Sequence, residues 1–300
     1  MTPTALEYES ALSHELELED EYEGELELEN EWESEAQWET LPEPEIIGRD
    51  TRVRVTNTRA FPFRFICNLE TRGWPMCSGT LIGPRTVLTA GHCIHGATAG
   101  AMRVIPGRNG SLEPLPATQA AAFHLPSGWA PNSPTDYGII HLRDPIGNSV
   151  GFWSRAYRRL PGDTRGTSIS AAPLPLSAGV LRVNLSGYPA DRPSSPRFGC
   201  RTPGRSPTCH HSPLGSAGRN RLCGAFQYRA YDKTVRSAGG ILTYLDDTCP
   251  GHSGSPVWVK RHASMGGRVL IAIHIAGGGS ANRSVRITNR VMRFIIAHTV

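Results

Sequence analysis

Two absences divide this chain. Residues 1–45 contain no lysine or arginine, and residues 46–300 contain two glutamates, Glu70 and Glu113. The front segment holds 16 Glu and one Asp, a formal charge of −17, so it has no cations with which to pair internally. The remaining 255 residues hold all 31 Lys and Arg against 10 acids, a charge of +21. Other shortages narrow the class. No apolar run is long enough to span a bilayer as a helix, and the front lacks the basic and apolar regions of an ordinary secretory signal. No CxxC pattern is present, which argues against a zinc site, so no metal or cofactor is expected. Aromatic residues make up 7% of the chain. The arginines are dispersed without an aromatic platform motif, which argues against a dedicated nucleic-acid site. Sustained helical periodicity is scarce, which excludes a helical bundle.

What is present reads as β structure. Short apolar runs recur between glycine and proline turn signals: RVRVT, FRFICNL, TVLTA, YGIIHL, LRVNLSGY, PVWVK and RVLIAIHIAGG. Such spacing predicts an all-β sandwich or barrel. One helix is expected near the C-terminus, with Asn289 as N-cap and Val291, Phe294, Ile295 and His298 along one face. The front segment carries a comb. Every odd residue from Glu15 to Glu35 is Glu, with Leu, Tyr and Trp among the even positions. Eleven like charges on one face of an extended segment repel one another, so the segment alone is expected to be disordered.

Three stretches carry chemistry. In CSGTLIGPRTVLTAGHC (77–93), an apolar strand runs into His92, and Cys77 and Cys93 are placed to pair around it. A disulfide closing that loop contributes about 3 kcal/mol and pins the turn. In TDYGIIHL, Asp136 opens another apolar strand. In DTCPGHSGSPVW (246–257), Ser253 sits in a turn whose Gly251 and Gly254 let backbone N–H groups face an oxyanion. Taken singly, His92 is a turn histidine and Asp136 a strand-start cap. Together, the order His, Asp, Ser is that of chymotrypsin-like hydrolases. The rival Gly-x-Ser-x-Gly elbow of α/β-hydrolases fails, because its fifth position is Ser255 and its partners would follow the serine in a helix-rich chain.

TAGHC, DYGIIHL and GHSGSPV, with IIGRDTRVRVTNTRAFPF, IGPRTV, PGRNG, PSGW, DPIGNSVG and SGYPADRP, resemble the bacterial glutamyl endopeptidases. These are chymotrypsin-like serine proteases that cut after Glu and less well after Asp. The resemblance runs from about residue 45 to the end and weakens over 195–225, an Arg/Pro/Cys-rich stretch read as an insertion. It implies two six-stranded antiparallel β-barrels with a C-terminal helix: 46–155 for the first and 156–300 for the second. It implies His92 as general base, Asp136 as its orienting acid and Ser253 as nucleophile, with the N–H groups of Gly251 and Ser253 as oxyanion hole. It also places Thr248 and His274 around the substrate's Glu side chain, where a hydroxyl and an imidazole can donate to a carboxylate.

Asp247 supports a different specificity, since trypsin-like enzymes hold their Arg- or Lys-binding acid six residues before the nucleophile. Composition weighs the other way: a trypsin-like enzyme would meet 29 Arg in its own body, a Glu-cutter two Glu. The acidic comb then reads as a removable pro-segment, 1–45, that screens a basic body and is itself a ladder of cleavable bonds. Cutting after Glu45 frees Ile46. His252 stands where trypsin-like zymogens carry the Asp that pairs with a new amine, and the resemblance instead places the amine of Ile46 near the substrate carboxylate.

Cys200–Cys209 and Cys223–Cys249 are paired by proximity, leaving Cys67 over. The partners expected are protein or peptide substrates and the chain's own acidic segment, with no membrane, no specific nucleic acid and a monomeric state. The cysteines point to an oxidising, extracellular destination. An inactive homologue that binds peptides or polyanions is the alternative from another class, and the presence of all three triad residues argues against it.

Overall fold

The computed structural model describes residues 46–47, 50–71, 74–156, 166–172, 181–190, 224–261, 267–277 and 280–300. Every described residue belongs to one compact unit, 43–300. Glu45, Cys200, Cys209, Cys223 and most of the expected 195–225 insertion therefore lie outside the described residues.

The first half closes as a barrel. Its strands are β2 (Ile66–Thr71), β3 (Trp74–Gly83), β4 (Thr86–Thr89), β5 (Met102–Pro106), β6 (Thr118–His124) and β7 (Gly138–Leu142), after a two-residue β1 (Val53–Arg54) that belongs to the other half. They pair antiparallel in the order β2-β3-β4-β7-β6-β5. Closure leaves no free edge. The barrel buries Leu69, Leu81, Val87, Leu88, Val104 and Ile139.

The second half departs from the expectation of another six-stranded antiparallel barrel. β8 (Thr167–Ile169), β9 (Arg182–Gly187), β10 (Tyr228–Ala238), β11 (Ile241–Tyr244), β12 (Pro256–Lys260), β13 (Arg268–Ala276) and β14 (Asn282–Arg286) join β1 in one eight-stranded sheet. Its order is β1-β10-β11-β14-β13-β12-β9, and β8 pairs with β13. Two short segments make the difference. β1 adds the N-terminal chain to β10, with Val53 opposite Arg229, and β8 adds to β13 in parallel. β13 reads RVLIAIHIA without alternation because both of its faces are covered, and seven successive residues from Val269 to Ile275 are buried.

An aromatic seam joins the halves. Trp153 meets Phe65 at 5.7 Å and Trp258 at 6.2 Å between ring centroids, and its indole N–H donates to Thr80 Oγ1 at 2.9 Å. Of the helices, α1 (Gly147–Val150) is a single turn and α2 (Asn289–His298) is the one expected from the sequence. Its N-cap is Thr288 rather than Asn289: the Thr288 hydroxyl accepts from Val291 N at 3.4 Å. α2 buries Val291 and Ile295 and returns to the first barrel. There Phe294 packs edge-on to Tyr137, and Val300 O accepts from Arg85 N at 3.0 Å.

Candidate active site

His92 lies on a 3-10 turn, Gly91–Cys93, at the end of β4. The turn is fixed from both sides. Cys93 is bonded to Cys77 on β3. Gly91 has no room for a side chain, since a Cβ there would lie 2.1 Å from Trp129 Nε1. The His92 backbone N–H donates to Asp136 Oδ1 at 2.9 Å, and the His92 ring Nδ1 meets Asp136 Oδ2 at 2.8 Å. An ionised carboxylate only accepts, so Nδ1 carries the proton and Nε2 is left with a lone pair.

Asp136 is fully buried and receives two more donors, Trp129 Nε1 at 3.2 Å and Asn132 N at 2.8 Å. Burial pushes its carboxyl up, but the hydrogen bond and charge of His92 and the backbone N–H groups of Asn132 and His92 together outweigh that. The net effect holds Asp136 below its ordinary value, as an anion. Asn132 reaches it from a left-handed conformation, φ 56°.

Ser253 comes from the second half, in the turn before β12, and is half-buried. Gly251 and Gly254 have φ of 97° and 82°. A Cβ at Gly254 would sit 2.1 Å from Ser78 O, and one at Gly251 2.4 Å from Tyr188 O. The turn is tied to the first barrel, because Ser78 N donates to Ser253 O at 2.8 Å and Ser78 Oγ to Gly251 O at 2.8 Å. Cys93 Sγ lies 3.6 Å from Ser253 O. That sulfur is in the disulfide and has no proton, so this is a packing contact. The N–H groups of His252, Gly254 and Ser255 are spent on backbone carbonyls. Among the described residues those of Gly251 and Ser253 have no such acceptor, which is the pattern needed to receive an oxyanion.

The pocket side is buried and polar. Thr248 is fully buried. His274 on β13 is 2% exposed, and its Nδ1 faces the Tyr244 hydroxyl at 2.6 Å. Burial, with the nearby His92, pushes His274 down to about 3, so the ring is neutral. His252 is also buried and neutral. Its Nδ1 accepts from Cys249 N at 3.0 Å, and burial and the Arg52 charge hold it well below its ordinary value. Cys249 is in a disulfide whose partner lies outside the described residues, and Cys67 is free and buried.

Asp247 is 1% exposed, and both of its oxygens are engaged by the N-terminal segment. Ile47 N donates to Oδ1 at 2.9 Å, Thr51 N to Oδ2 at 2.6 Å and Thr51 Oγ1 to Oδ2 at 2.7 Å. The neighbouring Ile46 is buried. This carboxylate is a fastening for residues 47 and 51. An ion pair between Asp50 and Arg52, 2.8 Å, completes the same segment.

The chain matches the trypsin family over residues 52–295. It is 34% identical over 256 residues to the glutamyl endopeptidase of Bacillus licheniformis, covering 82% of this chain and 66% of that protein. The chain belongs to the glutamyl endopeptidases, serine endopeptidases of the trypsin family. A solved Glu endopeptidase, in complex with MPD, superposes with a TM-score of 0.59 at 25% identity, covering 84% of this chain and 98% of its own. A third relative, 34% identical over 266 residues and covered to 70%, is the extracellular metalloprotease of Bacillus subtilis. Among the described residues the cluster with metal-ligand spacing is Cys77, His92 and Cys93. Its sulfurs are joined to each other and offer no thiolate.

Several contributors to this glutamyl endopeptidase site escaped the sequence reading. Trp129 and the Asn132 N–H brace Asp136, Tyr244 sets the His274 ring, and Ser78 locks the nucleophile turn. The PSGW motif contained Trp129, but no spacing rule tied it to the acid.

Proposed function

We propose that this chain hydrolyses peptide bonds on the C-terminal side of Glu, and less well of Asp, after removal of residues 1–45. The observation that carries the catalytic part is the pairing of His92 with Asp136. It leaves His92 Nε2 as the base. Ser253 Oγ attacks the scissile carbonyl carbon while Nε2 takes its proton. The resulting oxyanion sits against the N–H groups of Gly251 and Ser253. His92 then returns the proton to the leaving amine, the C–N bond breaks and an acyl-enzyme remains. Water repeats the sequence and frees the acid.

Glu specificity is supported by what Asp247 is doing. With both oxygens accepting from residues 47 and 51, it offers no open carboxylate to Arg or Lys. Thr248 and His274 would take the substrate carboxylate, and an anion beside His274 favours its protonated form. The amine of Ile46, freed after Glu45, would lie near the same place, since Ile47 N is already held by Asp247, the residue before Thr248.

The body's two glutamates fit the same reading. Glu70 is buried in β2 and paired with Arg108. Glu113 is followed by Pro114, whose ring fixes the backbone and removes an N–H, so this bond would fit such a site poorly. At the end of the leader, Glu43 precedes Pro44 and Glu45 precedes Ile46, so of these last two Glu bonds the open one is at 45–46. We place the working enzyme outside the cell, as a monomer acting on proteins or peptides. Its two halves divide near residue 155, and it needs no specific nucleic acid and no membrane.

Intact mass after identical expression of the wild type and Ser253→Ala is the test. The expected result is loss of the leader in the wild type alone, with cuts after Glu and a stable end at Glu45. Full-length mass for both would overturn self-processing, and cuts after Arg would overturn the specificity.

A further inference from the structure

The catalytic acid is gripped evenly from two sides. Each oxygen of Asp136 accepts one bond from His92 and one from the loop before β7. Oδ1 takes His92 N at 2.9 Å and Trp129 Nε1 at 3.2 Å, and Oδ2 takes His92 Nδ1 and Asn132 N, both at 2.8 Å. The loop's Asn132 donor is backbone, whereas its Trp129 donor is a side chain and makes the longest of the four bonds. Two contacts fix that indole. Its edge lies against the backbone of Gly91, where a Cβ would come within 2.1 Å of Nε1. Its face carries the imidazole of His95, stacked at 4.0 Å between ring centroids with 19° between the planes. His95 follows the turn that bears His92, and its N–H donates to Gly91 O at 2.9 Å. The turn that presents the base therefore also presents the ring that backs the acid's third partner. His95 is exposed and is not one of the four donors to Asp136.

We infer that His95 and Trp129 act as one positioning unit for the catalytic acid, the His95 ring holding the indole flat so that its N–H stays on Asp136 Oδ1. Trp129 is half-buried. Without His95 the covered face of the indole opens to water, and the ring is free to tilt off a bond that is already long. Hydrogen bonds to one carboxylate polarise each other, so losing the bond at Oδ1 alters the bond at Oδ2. That second bond holds His92 in its tautomer. Neither residue touches substrate in this role, and both act through Asp136. The inference rests on the triad reading and is indifferent to which residue the enzyme cuts after.

The test compares variants of the enzyme expressed as the full chain on a short peptide substrate. Active sites are counted with a serine-directed fluorophosphonate, so that turnover is per folded molecule. Trp129→Phe keeps an aromatic ring and removes the N–H, and kcat should fall by about tenfold or more with KM little changed. His95→Ala, a truncation at an exposed position, should lower kcat several-fold in the same pattern. His95→Phe keeps a flat ring over the indole and should recover most of that loss. Added to Trp129→Phe, His95→Ala should cost little more, because both act through one bond. The proton on His92 Nδ1 gives a low-field NMR signal that should move in Trp129→Phe and in His95→Ala. An unchanged kcat in Trp129→Phe, with that signal unmoved, would overturn the role of the indole. Effects of the two changes that multiply in full would overturn their action as a unit. A lower Tm with kcat per active site and the signal both as in the parent would also overturn it, leaving the stack as a support for the loop alone. Because the proton signal is read without turnover, failure here is distinct from failure of the protease reading.

Discussion

Asp136 and Asp247 are both buried carboxylates, and their partners give them different work. Asp136 accepts four hydrogen bonds and holds His92 in one tautomer. Asp136→Asn keeps the shape but puts an amide where Nδ1–H must donate. We expect kcat to fall by roughly 10⁴ with KM little changed, read on a short Glu substrate. Asp247→Asn puts an N–H donor against the N–H groups of residues 47 and 51, at a cost of about 1–3 kcal/mol. Its kcat/KM on Glu substrates should drop by roughly tenfold or more, and cleavage after Arg or Lys should stay absent. A variant that lost an Arg activity of the parent would show that Asp247 is a specificity acid after all. Asp246 differs from both. Burial, with the charges of Asp232 and Asp247, pushes its carboxyl well above the ordinary range, so folding favours its protonated form. The unfolded chain releases that proton above about pH 4, so the native state loses stability as pH rises from there, by up to about 1.4 kcal/mol per unit. Asp246→Asn escapes that loss. Its Tm should match the parent's near pH 4 and exceed it as the pH rises from there.

At the scale of the element, local chemistry decides ends and turns. Thr288→Ala removes the hydroxyl that caps α2 and should lower stability by about 1 kcal/mol. Asn289→Ala should cost less, and a chemical-denaturation pair separates the two. The helix itself was legible because Val291 and Ile295 fall on one face, whereas Thr288 and Asn289 are both good caps by type. The strands were legible for a similar reason, since β4, β7, β12 and β13 are apolar runs between turn signals. The two segments that turn the second half into an eight-stranded sheet were not. Val53–Arg54 and Thr167–Ile169 are too short to carry a pattern, and their pairing with Arg229 and Val269 is decided by distant chain. The same division holds in the site. His92, Asp136 and Ser253 could be read from motifs and order, while the engagement of Asp247 by Thr51 depends on residues far apart in sequence.

For the molecule as a whole, a protease must survive its own specificity, and on the proposed Glu specificity this body would do so by placement rather than by lacking glutamate altogether. Glu70 is buried mid-strand with Arg108 and Arg103 against its carboxylate, so no extended segment around it can enter a cleft without unfolding β2. Glu113 is on accessible chain, its side chain 34% exposed and paired with Arg103 at 2.9 Å. On the proposed specificity, Pro114 would shield it. If cleavage follows Glu, Pro114→Ala should open the body to itself. Wild-type background carrying the change should accumulate a nick between residues 113 and 114, seen as two fragments by denaturing mass spectrometry. The same change with Ser253→Ala should stay intact. The nick should also grow with protein concentration, because Glu113 is fixed on the surface of one copy and must be cut by another. If Pro114→Ala chains remain whole while a free Glu-Ala peptide is cut in the same tube, the local fold rather than the proline protects this bond. Self-resistance would then belong to the packing of the 107–118 loop.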